Sequence, residues 1–196
     1  MAKLTAGSRI GPFPYRIIRP LDSHGGMSDV YMATDGNVDD PRAKRVIVKI
    51  ARVHEEHQSF YENTIYNESE RLRNLHHRGI VRILPVRMES DMRNTTYAAR
   101  TALPHAPWFL VLENLEGSSV DKLLERHGRL DPGSALEIVR IVADTLQFLH
   151  DQNQVHLDIK PENILFRRPL EDGPPMEPVL IDFGVAKHAN QDMEHT

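Results

Sequence analysis

Apolar and polar positions repeat with one period in the first half of this chain and with another in the second. Residues 45–50, Arg-Val-Ile-Val-Lys-Ile, crowd β-branched side chains into a short run, as strands do. Residues 15–18, 30–33, 80–87 and 108–113 carry similar signals, and Gly36-Asn37-Val38-Asp39-Asp40-Pro41 marks a turn. The spacing lengthens to three and four in the next segment, which predicts a helix over 59–76. Residues 94–107 carry little period and read as a connection. After Gly117-Ser118-Ser119 the helical period dominates, with a short helix over 120–126 and a longer one to about His150. Asp131-Pro132 opens the longer helix, with proline at a favoured early position. Short strands at 164–166 and 179–181 flank a proline-rich loop over 168–178. The predicted class is α+β, with a strand-rich lobe over 1–113 and a helical lobe over 114–196.

Phase along these elements picks out two charged residues. Lys49 and Ile47 share one face of their strand, while Val46, Val48 and Ile50 take the other. Such a lysine, taken alone, reads as an edge or snorkelling residue. Ile65, Glu68, Leu72 and Leu75 are spaced by three or four, so Glu68 lies on the helical stripe that faces the core. A carboxylate there needs a partner, because an unpaired buried charge costs several kcal/mol. Lys49 is the candidate.

Bulk properties narrow the classes. A net charge of −4 with 27% charged residues gives no electrostatic reason to expect nucleic acid or an anionic membrane. No apolar run is long enough to span a bilayer, and the N-terminus lacks a signal-peptide core, so the expectation is a soluble, cytoplasmic chain. The absence of cysteine excludes disulfides, thiolate catalysis and cysteine-ligated zinc. Histidines at 54 and 57, 76 and 77, and 150 and 156 join no set with recognised metal-ligand spacing and read as solvated or structural.

The chemistry concentrates near the end of the chain. His156-Leu157-Asp158-Ile159-Lys160-Pro161-Glu162-Asn163 is followed, nineteen positions after Asn163, by Asp182-Phe183-Gly184. Asp, Pro, Glu and Asn are ordinary turn residues. Together, however, these supply a proton acceptor, a cation and oxygen ligands, the set that phosphoryl transfer needs. The two motifs resemble the catalytic loop and metal-binding triplet of eukaryotic-type serine/threonine protein kinases. Val46-Ile47-Val48-Lys49 is similar to the family's strand with the ATP-site lysine, and 108–117 is similar to its inter-lobe hinge. Ser23-His24-Gly25-Gly26-Met27-Ser28-Asp29-Val30 aligns with its glycine-rich loop, and the Gly-Gly-Met run resembles bacterial members.

That resemblance implies a bilobal kinase-like fold and a role for each matching residue. Asp158 would accept the substrate hydroxyl proton, Lys160 would neutralise the γ-phosphate, and Asn163 with Asp182 would hold Mg2+. Lys49, paired to Glu68, would hold the α- and β-phosphates of ATP. The backbone of Ser23, His24, Gly25, Gly26, Met27 and Ser28 would cover the phosphates. Val30, Ile47 and Leu165 would sandwich adenine, with Glu113 and Leu115 bonding it through their backbones and Leu112 as gatekeeper. His156 would face the core of the loop. The lysine at 160 suits serine or threonine as acceptor, on a protein substrate or on the chain itself.

Departures are equally specific. Ser23 and Ser28 replace glycines, Ile47 replaces the usual alanine and narrows the pocket, and Leu157 replaces the arginine that binds an activation-loop phosphate. Regulation by that phosphate is therefore not expected. The chain ends twelve residues after Gly184, short of the family's further large-lobe helices, so the resemblance implies a minimal or truncated form. The helix over 134–150 is apolar around most of its circumference, which predicts an exposed patch, self-association or a covering partner. The expected function is ATP- and magnesium-dependent phosphorylation of protein hydroxyls. The alternative is a kinase-like module that acts by binding nucleotide or a partner.

Overall fold

The computed structural model describes residues 4–21, 26–36, 43–54, 56–88, 91–170 and 176–188, and the chain divides into two compact units. The first comprises Met1–Asn74 and Arg82–Asn114. It contains β1 (Tyr15–Leu21), β2 (Ser28–Asp35), β3 (Lys44–Ala51), α1 (Gln58–Leu72), β4 (Ile83–Leu84), β5 (Val86–Met88), β6 (Asp91–Thr96), β7 (Ala98–Arg100) and β8 (Trp108–Glu113). Antiparallel pairing gives the order β1-β2-β3-β8-β4, with β7 also on β8 and β5 paired to β6.

The two faces of β3 separate as its sequence demands. Val46, Val48 and Ile50 enter a core with Tyr15, Ile17, Tyr31, Ala33, Phe109 and Val111. Phe13 meets Phe109 edge-on, with ring centroids 4.9 Å apart. Lys49 and Ile47 point to the other face, against which α1 packs through Ile65, Glu68, Ser69 and Leu72. The sheet is thus covered on both sides, which is why β8 reads as an unbroken apolar run rather than an alternating one.

Three sequence expectations need correction here. The stretch 94–107 is not merely a connection, because β6 reaches Thr96 and β7 pairs with β8 through Ala98↔Leu110. Its strands are short and one buries only a small alanine, so they leave almost no periodic signal. The helix ends at Leu72 rather than 76, and Leu75 belongs to the other unit although it continues the helical spacing. The expected strand over 80–87 is divided into β4 and β5 around Pro85, which has no N–H to donate.

The second unit comprises Leu75–Val81 and Leu115–Thr196. It contains α2 (Val120–His127), α3 (Pro132–Asp151), β9 (Gln154–Val155), β10 (Ile164–Phe166), β11 (Pro178–Leu180) and β12 (Lys187–His188). Asp131 caps α3, its Oδ1 accepting the Ser134 N–H at 2.9 Å, with Pro132 in the first turn. Ile138, Val142, Thr145 and Leu149 form the buried stripe of α3, while Leu136 and Val139 are exposed. β10 pairs with β11, and β11 is flanked by the 79–81 segment: Leu180 N–H donates to Gly79 O at 2.8 Å and Val81 N–H to Leu180 O at 3.0 Å. Gly79 admits Thr145 so closely that any Cβ there would overlap the Thr145 hydroxyl. Among the described residues, no helix is long and apolar enough to cross a membrane.

Candidate active site

In the first unit the predicted pair is formed. Lys49 Nζ donates to Glu68 Oε2 at 2.7 Å and to Oε1 at 3.0 Å, with Glu68 fully buried and Lys49 only 7% exposed. Both carboxylate oxygens are engaged, so the ammonium is held at one position rather than swinging on its stem. Cross-strand partners in an antiparallel sheet share a face. Val30 lies opposite Lys49, Met32 opposite Ile47 and Ile47 opposite Leu112, so these side chains line one surface around the ammonium. Val30 and Ile47 are half-buried on that surface, and Leu112 is buried.

The turn entering β2 is described from Gly26 onward; Ser23, His24 and Gly25 lie outside the described residues. Gly26 is exposed, Met27 half-buried and Ser28 buried as the first residue of β2. A Cβ added at Gly26 would touch nothing within 4 Å among the described residues. Further along, Glu113 N–H donates to Arg82 O at 2.9 Å and Glu113 Oε1 accepts the Arg82 N–H at 3.0 Å. The Glu113 amide is therefore engaged within its own unit.

In the second unit a closed circuit of hydrogen bonds shapes the loop at 156–163. His156 Nδ1 accepts the Asp158 N–H at 3.3 Å, and its Nε2 faces Ile181 O at 3.0 Å. Nδ1 as acceptor fixes the proton on Nε2, giving the neutral tautomer. Burial pushes the His156 pKa down, against the opposing pull of the Ile181 carbonyl and the nearby Asp182 and Asp158. Ile181 N–H in turn donates to Asn163 O at 3.0 Å. Asn163 Nδ2 closes the circuit by donating to Asp158 O and to Asp158 Oδ2, each at 2.9 Å.

Asp158 Oδ2 also receives Lys160 Nζ at 2.8 Å, and this bond holds the Lys160 pKa above its ordinary value. Two donors therefore converge on Oδ2, and Oδ1 is the oxygen that can turn toward an incoming hydroxyl. Asn163 spends its amide hydrogens on Asp158, so its carbonyl oxygen is the side-chain atom that could serve a cation. Asp182 directly follows Ile181 in the chain, and Gly184 N–H donates to its Oδ1 at 3.4 Å. Leu157 and Asp182 both adopt left-handed backbone, with φ of +65° and +62°. Such conformations cost non-glycine residues about 1–3 kcal/mol and persist only where surrounding contacts impose them. Here the circuit through His156, Asp158, Asn163 and Ile181 does so.

Each unit thus gathers its own share of the predicted residues. Lys49, Glu68, Val30 and Ile47 cluster in the first, and Asp158, Lys160, Asn163 and Asp182 in the second. Leu115 and Leu165 are half-buried in the second unit, where a bridge joins Leu165 to Ser119. The family resemblance pointed to His156 only as a core-facing residue of the loop. Its use of both ring nitrogens to hold the loop has no linear signal, because its partners lie two and twenty-five residues away.

A family model described as the protein kinase domain matches residues 23–196. Similar curated proteins include the serine/threonine-protein kinase drp72 of Corynebacterium efficiens, 32% identical over 168 residues covering 85% of this chain and 28% of that protein. PknA of Corynebacterium glutamicum is 32% identical over 166 residues, covering 85% of this chain and 31% of that protein. PrkC of Bacillus subtilis is 28% identical over 151 residues, covering 77% and 20%. The chain spans about a third or less of the length of these relatives.

Proposed function

Since this chain belongs to the protein kinase family, we propose that it transfers the γ-phosphate of ATP to a serine or threonine hydroxyl of a protein, with magnesium as cofactor. The observation that carries this reading is the arrangement at Asp158, whose Oδ2 is held by both Lys160 Nζ and Asn163 Nδ2. A carboxylate so fixed is a base with one oxygen assigned to structure and the other to a substrate. Its Oδ1 takes the hydroxyl proton as the hydroxyl oxygen bonds to the γ-phosphorus. The bond from that phosphorus to the β-phosphate oxygen breaks, and ADP leaves with the electron pair.

The residues present fit the required ligands. Asn163 and Asp182 offer the hard oxygen donors that magnesium prefers, which would neutralise phosphate charge as it develops. Gly26, with open space beside it among the described residues, fits a turn that a phosphate approaches. Lys49, fixed by Glu68, would hold the α- and β-phosphates, and Lys160 would meet the γ-phosphate. Val30, Ile47 and Leu165 would pack adenine, with the backbone of Glu113 and Leu115 bonding it. The acceptor is a hydroxyl of another protein or of a second copy of this chain, in the cytoplasm where ATP is abundant.

Incubation with labelled ATP and magnesium tests this, beside Asp158→Asn and Lys49→Met. Transfer should appear with the natural sequence, and Asp158→Asn should lower it roughly 100- to 10,000-fold, the usual contribution of a positioned base. Nucleotide-dependent thermal stabilisation without any transfer would leave only a binding module.

A further inference from the structure

One arginine fastens the turn that leads into β2. The pairing of β2 with β3 reaches its last register at Ser28↔Ala51. One residue further on, Arg52 N–H donates to Met27 O at 2.9 Å. The side chain of the same residue sends Nη1 to Gly26 O at 3.1 Å and Nε to Asp29 Oδ1 at 2.8 Å. Any non-proline residue could make the first bond. The other two need the planar fork of a guanidinium, which addresses two acceptors at a fixed angle.

Stability alone is a weak reason for this arrangement. The Arg52 and Asp29 side chains are 35% and 24% exposed, and ion pairs so placed contribute little to folding. Its geometric effect is larger than its energetic one. On the kinase reading the amides of Gly26 and Met27, which lead into β2, would meet phosphate, and small misplacements of such donors are costly. Ser28 begins β2, and Lys49 lies only three residues before Arg52 on the same strand and its extension. The strand that carries the ammonium therefore also sets the position of the turn.

We propose that Arg52 and Asp29 form a positioning pair that holds this turn for ATP and thereby sets nucleotide affinity. The role rests on the kinase reading above. Arg52→Ala should raise KM for ATP roughly three- to ten-fold, the equilibrium equivalent of one net hydrogen bond. Asp29→Ala should do the same, and Arg52→Lys should recover part of the loss by restoring the ion pair without the second bond. In all three, kcat should stay within about two-fold of the natural sequence, a split that general destabilisation would not produce. Amide hydrogen exchange at 26–28 in nucleotide-free protein should accelerate in Arg52→Ala while exchange in α1 does not. If the natural sequence binds ATP and Arg52→Ala shows an unchanged KM or unchanged exchange at 26–28, this proposal falls alone. If the natural sequence binds no ATP at all, the kinase reading falls and takes the proposal with it.

Discussion

Replacing Glu68 with glutamine removes one charge from the Lys49–Glu68 pair and almost no volume. Glu68 is fully buried and Lys49 is 7% exposed, so solvent cannot take over the lost partner. Breaking a buried pair by neutralising one member costs about 3–5 kcal/mol, because the remaining charge stays desolvated. For a chain of this size each kcal/mol moves the melting temperature by about 2–4 °C, so the fall should be about 6–20 °C. The first unit should melt ahead of the second, followed through the single Trp108 on β8. The double replacement Lys49→Met with Glu68→Leu removes both charges and fills the space with apolar groups. It should recover most of the lost stability and none of the phosphate transfer. That contrast separates the pair's structural cost from its chemical use. A Glu68→Gln protein melting within about 2 °C of the natural sequence would refute the reasoning, since a desolvated lysine cannot be so cheap.

Two further outcomes follow from other positions. Gly79→Ala should cost about 1–3 kcal/mol in chemical denaturation, because its Cβ would overlap the Thr145 side chain; Thr145→Ala in the same chain should relieve part of that cost. Acid should weaken the second unit through His156, whose pKa burial pushes below the ordinary histidine value, and through His77, lowered by burial and by Arg78. The folded state then binds fewer protons than the unfolded state. The stabilisation is full above the unfolded value near 6.5 and is lost as pH falls toward and through the folded value. Melting temperatures from pH 7.5 down to about 5.5 should decline, and less steeply in His156→Gln, if the imidazole is neutral as its hydrogen bonds require.

Legibility in the sequence tracked how local each signal was. The phase of Val46, Val48 and Ile50 against Lys49 needed only the alternation of a strand, and the structure buries those three in the core. Glu68 needed only helical spacing, and it meets Lys49 as expected. The strands at 108–113 and 164–166 were readable to the residue. By contrast, β7 owes its place to pairing with β8, and Ala98 is too small to advertise it. The left-handed backbone at Leu157 and Asp182 was invisible for a similar reason. Leucine disfavours that conformation and aspartate merely tolerates it, and the contacts that impose it come from Asn163, Ile181 and His156 rather than from neighbours. Residues 75–81 misled through continuity, since their first leucine extends the rhythm of α1 while their backbone pairs beside β11.

That last segment also bears on the order in which the protein is built. Gly79 and Val81 bond the backbone of Leu180, a closure over about a hundred residues that must bear its full loop entropy. The partner of 79–81 leaves the ribosome only after α2, α3 and the loop at 156–163 have all emerged. Until then α3 has no strand pairing beside it to complete the second unit. The nascent chain should consequently hold the second unit open until residues 178–180 emerge, and a ribosome stalled anywhere before residue 178 should present it as a protease-sensitive intermediate.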